Sequence, residues 1–219
     1  MFRDRTDAGK KLASRLTTLG LADPVVLALP RGGVPVAAEI ARALGAPLDL
    51  IIVRKVGAPG EPELALGALV DGDPPDVVFN ADVVQAWGLS EAELSRLVAR
   101  ERAETERRRQ VYGPARPWPV AGKTAIIVDD GVATGATVKA AIRALRRRSP
   151  REIVVAVPVA PPRTAAELAA QADRLVCLDR PARFLALGFL YRDFPQLTDE
   201  EVIHILGQFG PPDASGSAR

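Results

Sequence analysis

Unbroken apolar runs, not alternating ones, dominate the hydrophobic pattern of this chain. They fall at residues 25–29 (VVLAL), 48–53 (LDLIIV), 124–128 (TAIIV), 153–159 (IVVAVPV) and 175–178 (LVCL). Runs of this length predict strands buried on both faces, as parallel strands are. Between them apolar positions recur at helical spacing. Residues 34–44 (VPVAAEIARAL) stop at Gly45, a natural residue to end a helix. Residues 137–148 put Ala141, Ile142 and Leu145 on one face and end in three arginines, which complement the negative end of a helix dipole. Residues 163–172 predict a third helix. Strand and helix in this alternation predict a parallel sheet of about five strands with right-handed crossovers.

Three segments break the rhythm. Residues 56–78 are rich in Gly, Pro and acids and read as a long loop or small hairpin; loops this long in a compact domain are usually functional or disordered. Residues 90–112 predict an Arg/Glu-dense helix with Ser90 as N-cap and Glu93 completing a capping box. Its apolar positions, Leu94, Leu97 and Val98, stop early, so its second half is expected in solvent, as a surface helix laced with ion pairs, a dimer contact or an arm over the site. Residues 211–219 are small and polar and predict a disordered tail. The expected unit is therefore one domain over 1–210.

Composition narrows the classes. With 219 residues, 47% hydrophobic and 26% charged, the chain can bury one generous core, built on aliphatics because aromatics are only 5%. A formal charge of +2, with no clustered basic face, argues against a nucleic-acid partner. The lone cysteine, Cys177, excludes an intrachain disulfide and reads as a small buried hydrophobe. No apolar run is long enough to cross a membrane and the first residues have no apolar signal core, so the cytoplasm is expected. His204 lies far along the chain from every motif below.

The informative stretch is 125–137, AIIVDDGVATGAT. A buried strand ends in Asp129 and Asp130, where ligands of open α/β sheets bind. The turn Ala133-Thr134-Gly135-Ala136-Thr137 follows and opens a helix. Small residues let backbone N–H groups close on an anion, and Thr134 and Thr137 add hydroxyls, which makes a phosphate cradle. Two carboxylates beside it suit the adjacent hydroxyls of a ribose. Together they predict a ribose 5-phosphate site. The Gly-Lys-Ser/Thr ending of a Walker loop and the G-x-G-x-x-G fingerprint are both missing.

Residues 126–137 resemble the phosphoribosyl pyrophosphate (PRPP) signature of type I phosphoribosyltransferases: an apolar run, two acids, two spacers, then Ala-Thr-Gly-x-Thr. The resemblance implies a single Rossmann-like α/β domain with a flexible loop and a small C-terminal hood at 179–197. It also implies that Asp129 and Asp130 hold the ribose hydroxyls and residues 133–137 the 5-phosphate. Upstream, Leu29-Pro30-Arg31-Gly32-Gly33 is similar to the family's pyrophosphate loop, with Arg31 supplying charge and Gly32 and Gly33 exposing N–H groups. Arg54 and Lys55 end the second apolar run, where the family's flexible loop closes, and are candidates to meet pyrophosphate. Phe184 and Phe189 lie in a looser match to the base-stacking segment of 6-oxopurine enzymes, with ordinary core packing equally open. Residues 191–197 (YRDFPQL), before a helix capped by Thr198 and Glu201, resemble a poorly characterised bacterial subgroup of these transferases.

The implied reaction displaces pyrophosphate from PRPP by a nitrogen nucleophile, with Mg²⁺ brought on the phosphates and Arg31, Lys55, Asp129 and Asp130 as the working residues. A nucleobase is the expected acceptor, but Ala133 stands where 6-oxopurine enzymes carry an aspartate, and an alanine cannot move a proton. Glu61 or Glu63 on the 56–78 segment could replace it. The rival reading is a PRPP-sensing regulator without turnover; a PRPP synthetase-like enzyme is disfavoured because no ATP site or second domain is visible. The oligomeric state is left open.

Overall fold

The computed structural model describes residues 1–72, 75–112 and 118–209, with the backbone alone at Pro62 and Glu63. The expected tail at 211–219 and the side chain of Glu63 lie outside the described residues. Helix α1 (Arg5–Leu16) comes first, then β1 (Pro24–Ala28), α2 (Gly33–Leu44), β2 (Leu48–Leu50), β3 (Val53–Ala58), β4 (Glu61–Val70) and β5 (Asp76–Phe79). Next come α3 (Ala81–Trp87), α4 (Glu91–Tyr112), β6 (Thr124–Val128), α5 (Ala136–Arg146), β7 (Glu152–Val159), α6 (Pro162–Gln171) and β8 (Arg174–Asp179). A 3₁₀ turn (Leu187–Leu190) and α7 (Asp199–Leu206) follow.

The central sheet has the order β2-β1-β6-β7-β8, and every pair is parallel. Its apolar runs are continuous because both faces are covered. Val25, Leu27, Ile127 and Val155 point toward α5 and α6, where they pack with Ala141, Leu145 and Leu168. Val26, Ala28, Ile126 and Val154 point the other way, onto Leu12 and Leu16 of α1 and Ile40 of α2. All of these are buried. The predicted Gly45 stop holds, with φ +60° after α2. Cys177 is half-buried rather than buried, its thiol 3.2 Å from the Asp179 carbonyl.

Three expectations need correction. The run 48–53 is not one strand: the parallel ladder stops at Leu50, and Val53 starts a second sheet. Asp71 closes the gap, its N–H reaching the Ile52 carbonyl at 2.9 Å and its carboxylate accepting the Ile52 N–H at 2.7 Å. Next, residues 56–78 are not a long loop. They form the larger part of an antiparallel sheet, β3-β4-β5, and of the two expected forms the hairpin is the one present, widened by a third strand.

The last correction concerns α4. Its capping box is present, with Ser90 N–H 2.9 Å from Glu93 Oε2 and Glu93 N–H 3.3 Å from Ser90 Oγ. Its second half is in solvent on one face, where Glu104 pairs with Arg107 and Arg108 as expected, but not on the other. Glu101 and Thr105 are buried, and Arg109 forks onto Asp49 at 2.8 and 3.0 Å while reaching Asp71 at 3.2 Å. The inner face of this half is polar, so it packs through ion pairs. Among the described residues no helix is long and apolar enough to cross a membrane.

Candidate functional site

The site is assembled at the carboxyl ends of β1 and β6, which are neighbours in the sheet. After β6 the chain passes Asp129 and Asp130 and turns through Gly135, at φ +77°, into α5. No side chain caps that helix, which leaves its first N–H groups open to an anion. Thr134, Ala136 and Thr137 are exposed, as is Ala133. The turn is braced from behind: the Thr164 hydroxyl donates to the Ala133 carbonyl at 2.7 Å and Lys139 Nζ to the Thr134 carbonyl at 3.2 Å. Gly135 itself is buried, and a Cβ there would stand 3.1 Å from Thr164 Cγ2. The expected cradle is thus rigid on one side and open on the other.

The two acids are not alike. Asp129 Oδ1 accepts the Asp130 N–H at 2.8 Å. Its carboxyl is held well above the usual carboxylate range, first by burial and then by the neighbouring Asp130, with Arg5 pulling the other way. Asp130 instead has a cation of its own. Arg5 Nε donates to Asp130 Oδ2 at 2.8 Å, both side chains about 10% exposed. Arg5 sits 125 positions away in sequence, and no motif or spacing points to it.

The turn between β1 and α2 lies against the acid turn. A Cβ on Gly33 would fall 2.6 Å from the Val128 carbonyl oxygen, and one on Gly32 would fall 2.1 Å from Asp130 Oδ2. Only glycine permits this approach. The Pro30–Arg31 peptide is cis. Arg31 is exposed, with Nη1 3.9 Å from Asp199 Oδ1 at the start of α7.

On β3, successive side chains point to opposite faces. Arg54 turns to α4 and places Nε and Nη2 3.1 and 2.8 Å from Glu101 Oε2. Lys55 is exposed and lines a cleft of about 330 Å³ with Thr134, Ala136, Thr137, Lys139 and Arg143. The structure therefore brings Lys55 to the phosphate turn, while Arg54, expected at the pyrophosphate, is committed to an ion pair with α4.

A family model described as a phosphoribosyl transferase domain matches residues 4–186. The chain belongs to this family. It is 46% identical over 207 residues to "Putative phosphoribosyl transferase Rv0571c" of Mycobacterium tuberculosis, an alignment covering 94% of this chain and 46% of that protein. The same figures hold for MT0597 from another strain of that organism. This phosphoribosyl transferase chain thus spans about half the length of the curated relatives it matches. Among solved structures, TT1426 from Thermus thermophilus is 46% identical, with a TM-score of 0.84 over 95% of this chain and 99% of the other. The doubly covered parallel sheet is the fold of that structure too.

The segment 179–197, expected as a hood, carries the aromatic candidates. Phe184 is half-buried, and Phe189 is 70% exposed, so Phe189 is not core. Tyr191 is the buried aromatic of this segment, stacked on Phe194 with centroids 4.8 Å apart. The hood side chain that covers the acid turn is Leu187, since a Cβ on Gly131 would fall 2.1 Å from its Cδ1. Glu61 is exposed where β4 begins. Among the described residues no group of three or more His, Cys, Asp or Glu side chains could hold a metal ion. With Asp130 already paired, these residues fit a divalent ion carried on substrate phosphates, as Mg²⁺ often is.

Proposed function

We propose that this chain transfers the 5-phosphoribosyl group of PRPP to a nitrogen nucleophile, by class a nucleobase, with release of pyrophosphate. The supporting observation is the contact of the two turns, in which Gly32 lies against the Asp130 carboxylate. A ribose whose hydroxyls meet Asp129 and Asp130 then has its C1 substituent beside the N–H groups of Arg31 and Gly32, whereas the Gly33 N–H, also expected there, is spent on the Leu29 carbonyl at 3.0 Å. Its 5-phosphate reaches the uncapped start of α5 at residues 133–137.

In this reading the C1–O bond to pyrophosphate breaks as the C1–N bond forms, through a transition state with positive charge on the ribose. The acids hold the ring by its hydroxyls and stand near that charge. Arg31 and the N–H groups of its turn receive the negative charge growing on the leaving group, while Lys55, in the cleft with Thr134 and Thr137, is placed for the 5-phosphate and not for the pyrophosphate expected of it. Mg²⁺, carried on the phosphates, would supply further neutralisation there. The acceptor's proton is not handled at position 133, because Ala133 has no group to take it. Acceptors that lose a proton readily in water are favoured.

The test is PRPP-dependent pyrophosphate release with Mg²⁺ across purines, pyrimidines and simple amines, alongside calorimetry of PRPP binding. Release with one acceptor class supports transfer. One observation favours a second reading: Arg31 lies near Asp199 instead of standing clear of any carboxylate. A PRPP-sensing module without turnover would bind PRPP in calorimetry and release nothing with any acceptor. Neither heat nor a melting shift at millimolar PRPP would sink both readings.

A further inference from the structure

Arg5 lies outside every segment that the sequence marks for substrate, yet its guanidinium ends in the acid turn. Nε donates to Asp130 Oδ2 at 2.8 Å and Nη1 to the Pro195 carbonyl at 2.8 Å. Its Cζ stands 3.8 Å from the centroid of the Phe194 ring. Tyr191, stacked on the same ring, donates its hydroxyl to the Asp130 carbonyl at 2.6 Å. The chain on either side is tied down as well: Phe2 N–H bonds the Leu190 carbonyl at 2.8 Å, and Arg192 N–H bonds the Phe2 carbonyl at 2.9 Å. The start of the chain and the segment after the hood are thus laced together around one carboxylate.

A buried ion pair is a poor way to stabilise a fold, since apolar groups of the same volume do as well or better. Helix α1 already buries Ala8, Leu12 and Leu16. The pair has a second consequence. The Asp130 carboxylate is held between Arg5 on one side and the Gly32 backbone on the other, and it cannot swing without losing the first or colliding with the second.

We propose that Arg5 is a positioning residue of the ribose site, fixing the orientation of the Asp130 carboxylate so that it accepts the ribose hydroxyls. This rests on the phosphoribosyl-transfer reading above. It makes the two acids unequal. Asp130 has the Arg5 guanidinium at 2.8 Å, whereas burial and Asp130 push the Asp129 carboxyl toward its protonated form. The charged and titratable groups around Asp130 are Arg5 and Asp4 at the start of α1, Tyr191 from the C-terminal segment and Asp129 on its own turn.

The experiment measures PRPP affinity by calorimetry for the wild type, Arg5→Lys, Arg5→Gln, Asp130→Asn and the double variant Arg5→Gln/Asp130→Asn, with melting as a check on folding. Arg5→Gln is expected to weaken PRPP binding roughly tenfold or more, the loss of one charge-assisted contact. Arg5→Lys should recover part of this loss. In the Asp130→Asn background, Arg5→Gln should change affinity no further, which a merely structural arginine would not satisfy. Should Arg5→Gln fail to fold, Arg5→Lys carries the affinity measurement, and the double variant, lacking both charges, supplies the folded comparison with Asp130→Asn. Additive losses, or wild-type affinity in the Arg5 variants, overturn the proposal while leaving phosphoribosyl transfer standing. Absence of PRPP binding in the wild type overturns the transfer reading, and this assignment with it.

Discussion

The Tyr112 hydroxyl donates a 2.6 Å hydrogen bond to Asp199 Oδ1, the same oxygen that lies 3.9 Å from Arg31 Nη1. One carboxylate oxygen therefore joins the end of α4, the start of α7 and the turn assigned to pyrophosphate. Burial, and then this hydrogen bond, push the Tyr112 hydroxyl up to about 12, so it remains a donor across the physiological range. Asp199→Asn should release Arg31 toward an incoming anion. Because the Arg31–Asp199 pair is exposed and long, its worth is at most about 1 kcal/mol, and PRPP affinity should rise less than tenfold. Tyr112→Phe should lower stability by about 1 kcal/mol in denaturant titrations. Weaker PRPP binding in Asp199→Asn would show that Asp199 orients Arg31 rather than competing for it.

The two glycines of the β1–α2 turn should fail differently. A Gly33→Ala side chain meets the Val128 carbonyl at 2.6 Å and the Asp129 Cα at 3.1 Å, both backbone atoms that cannot step aside. Overpacking of that kind costs about 1–3 kcal/mol, visible as a lower melting temperature. A Gly32→Ala side chain meets the Asp130 carboxylate instead. PRPP affinity should then fall, on the order of tenfold, as the acid is pushed off its position. A Gly32→Ala protein with unaltered affinity would count against the ribose role of Asp130.

Arg54 and Lys55 are adjacent, and their variants should separate stability from chemistry. Arg54→Ala removes the nearer of two arginines from the buried Glu101 carboxylate and leaves it to Arg100 at 3.3 Å, so its main effect should be a stability loss of about 1–3 kcal/mol. Arg31→Ala should cut turnover, on the order of a hundredfold, more than it cuts PRPP affinity, since charge on the leaving group peaks in the transition state, whereas Lys55→Ala, beside the 133–137 turn, should weaken PRPP binding and lower turnover with it. Equal losses in turnover for Arg54→Ala and Lys55→Ala would return Arg54 to the site.

Asp71 should impose a pH dependence on folding. Burial raises its carboxyl from 3.8 to about 6, against the pull of Arg109. The folded chain then binds a proton more tightly than the unfolded one, so this stabilisation is complete below 3.8 and lost as pH rises through about 6. Asp71→Asn cannot titrate. Relative to the wild type, its stability should improve by up to about 3 kcal/mol between pH 4 and pH 7, two pKa units' worth. A difference that stays constant over that range would mean Asp71 is ionised throughout.

How much of this was legible follows from which signals are local. The five parallel strands and the helices after β1, β6 and β7 could be read directly, because a sheet covered on both faces demands unbroken apolar runs. The acid pair and the phosphate turn were legible for a related reason: a strand end, two acids and a small-residue turn are contiguous, so their geometry is set by the residues beside them.

The hairpin sheet was half-seen. Gly and Pro in 56–78 suggested a loop, yet β4 runs for ten residues because its partners β3 and β5 flank it and α5 covers it. The ion-paired outer face of α4 was legible but its inner face was not, since hydrophobic periodicity cannot register a helix face buried through Glu101, Thr105 and Arg109. The aromatic residues of the hood were visible as residues, but only packing could turn Phe189 outward and lay Leu187 on Gly131.

The sequence by itself determined the sheet, the two turns and the ribose-phosphate chemistry they suggest, since each is encoded within a dozen adjacent positions. Only the tertiary structure decided which cations stand at those turns. Arg54 was drawn to Glu101, Lys55 was set facing the phosphate turn, and Arg5 was carried across 125 positions to Asp130. A guanidinium pairs with whichever carboxylate the packed helices bring within reach, and that choice is made by the fold as a whole.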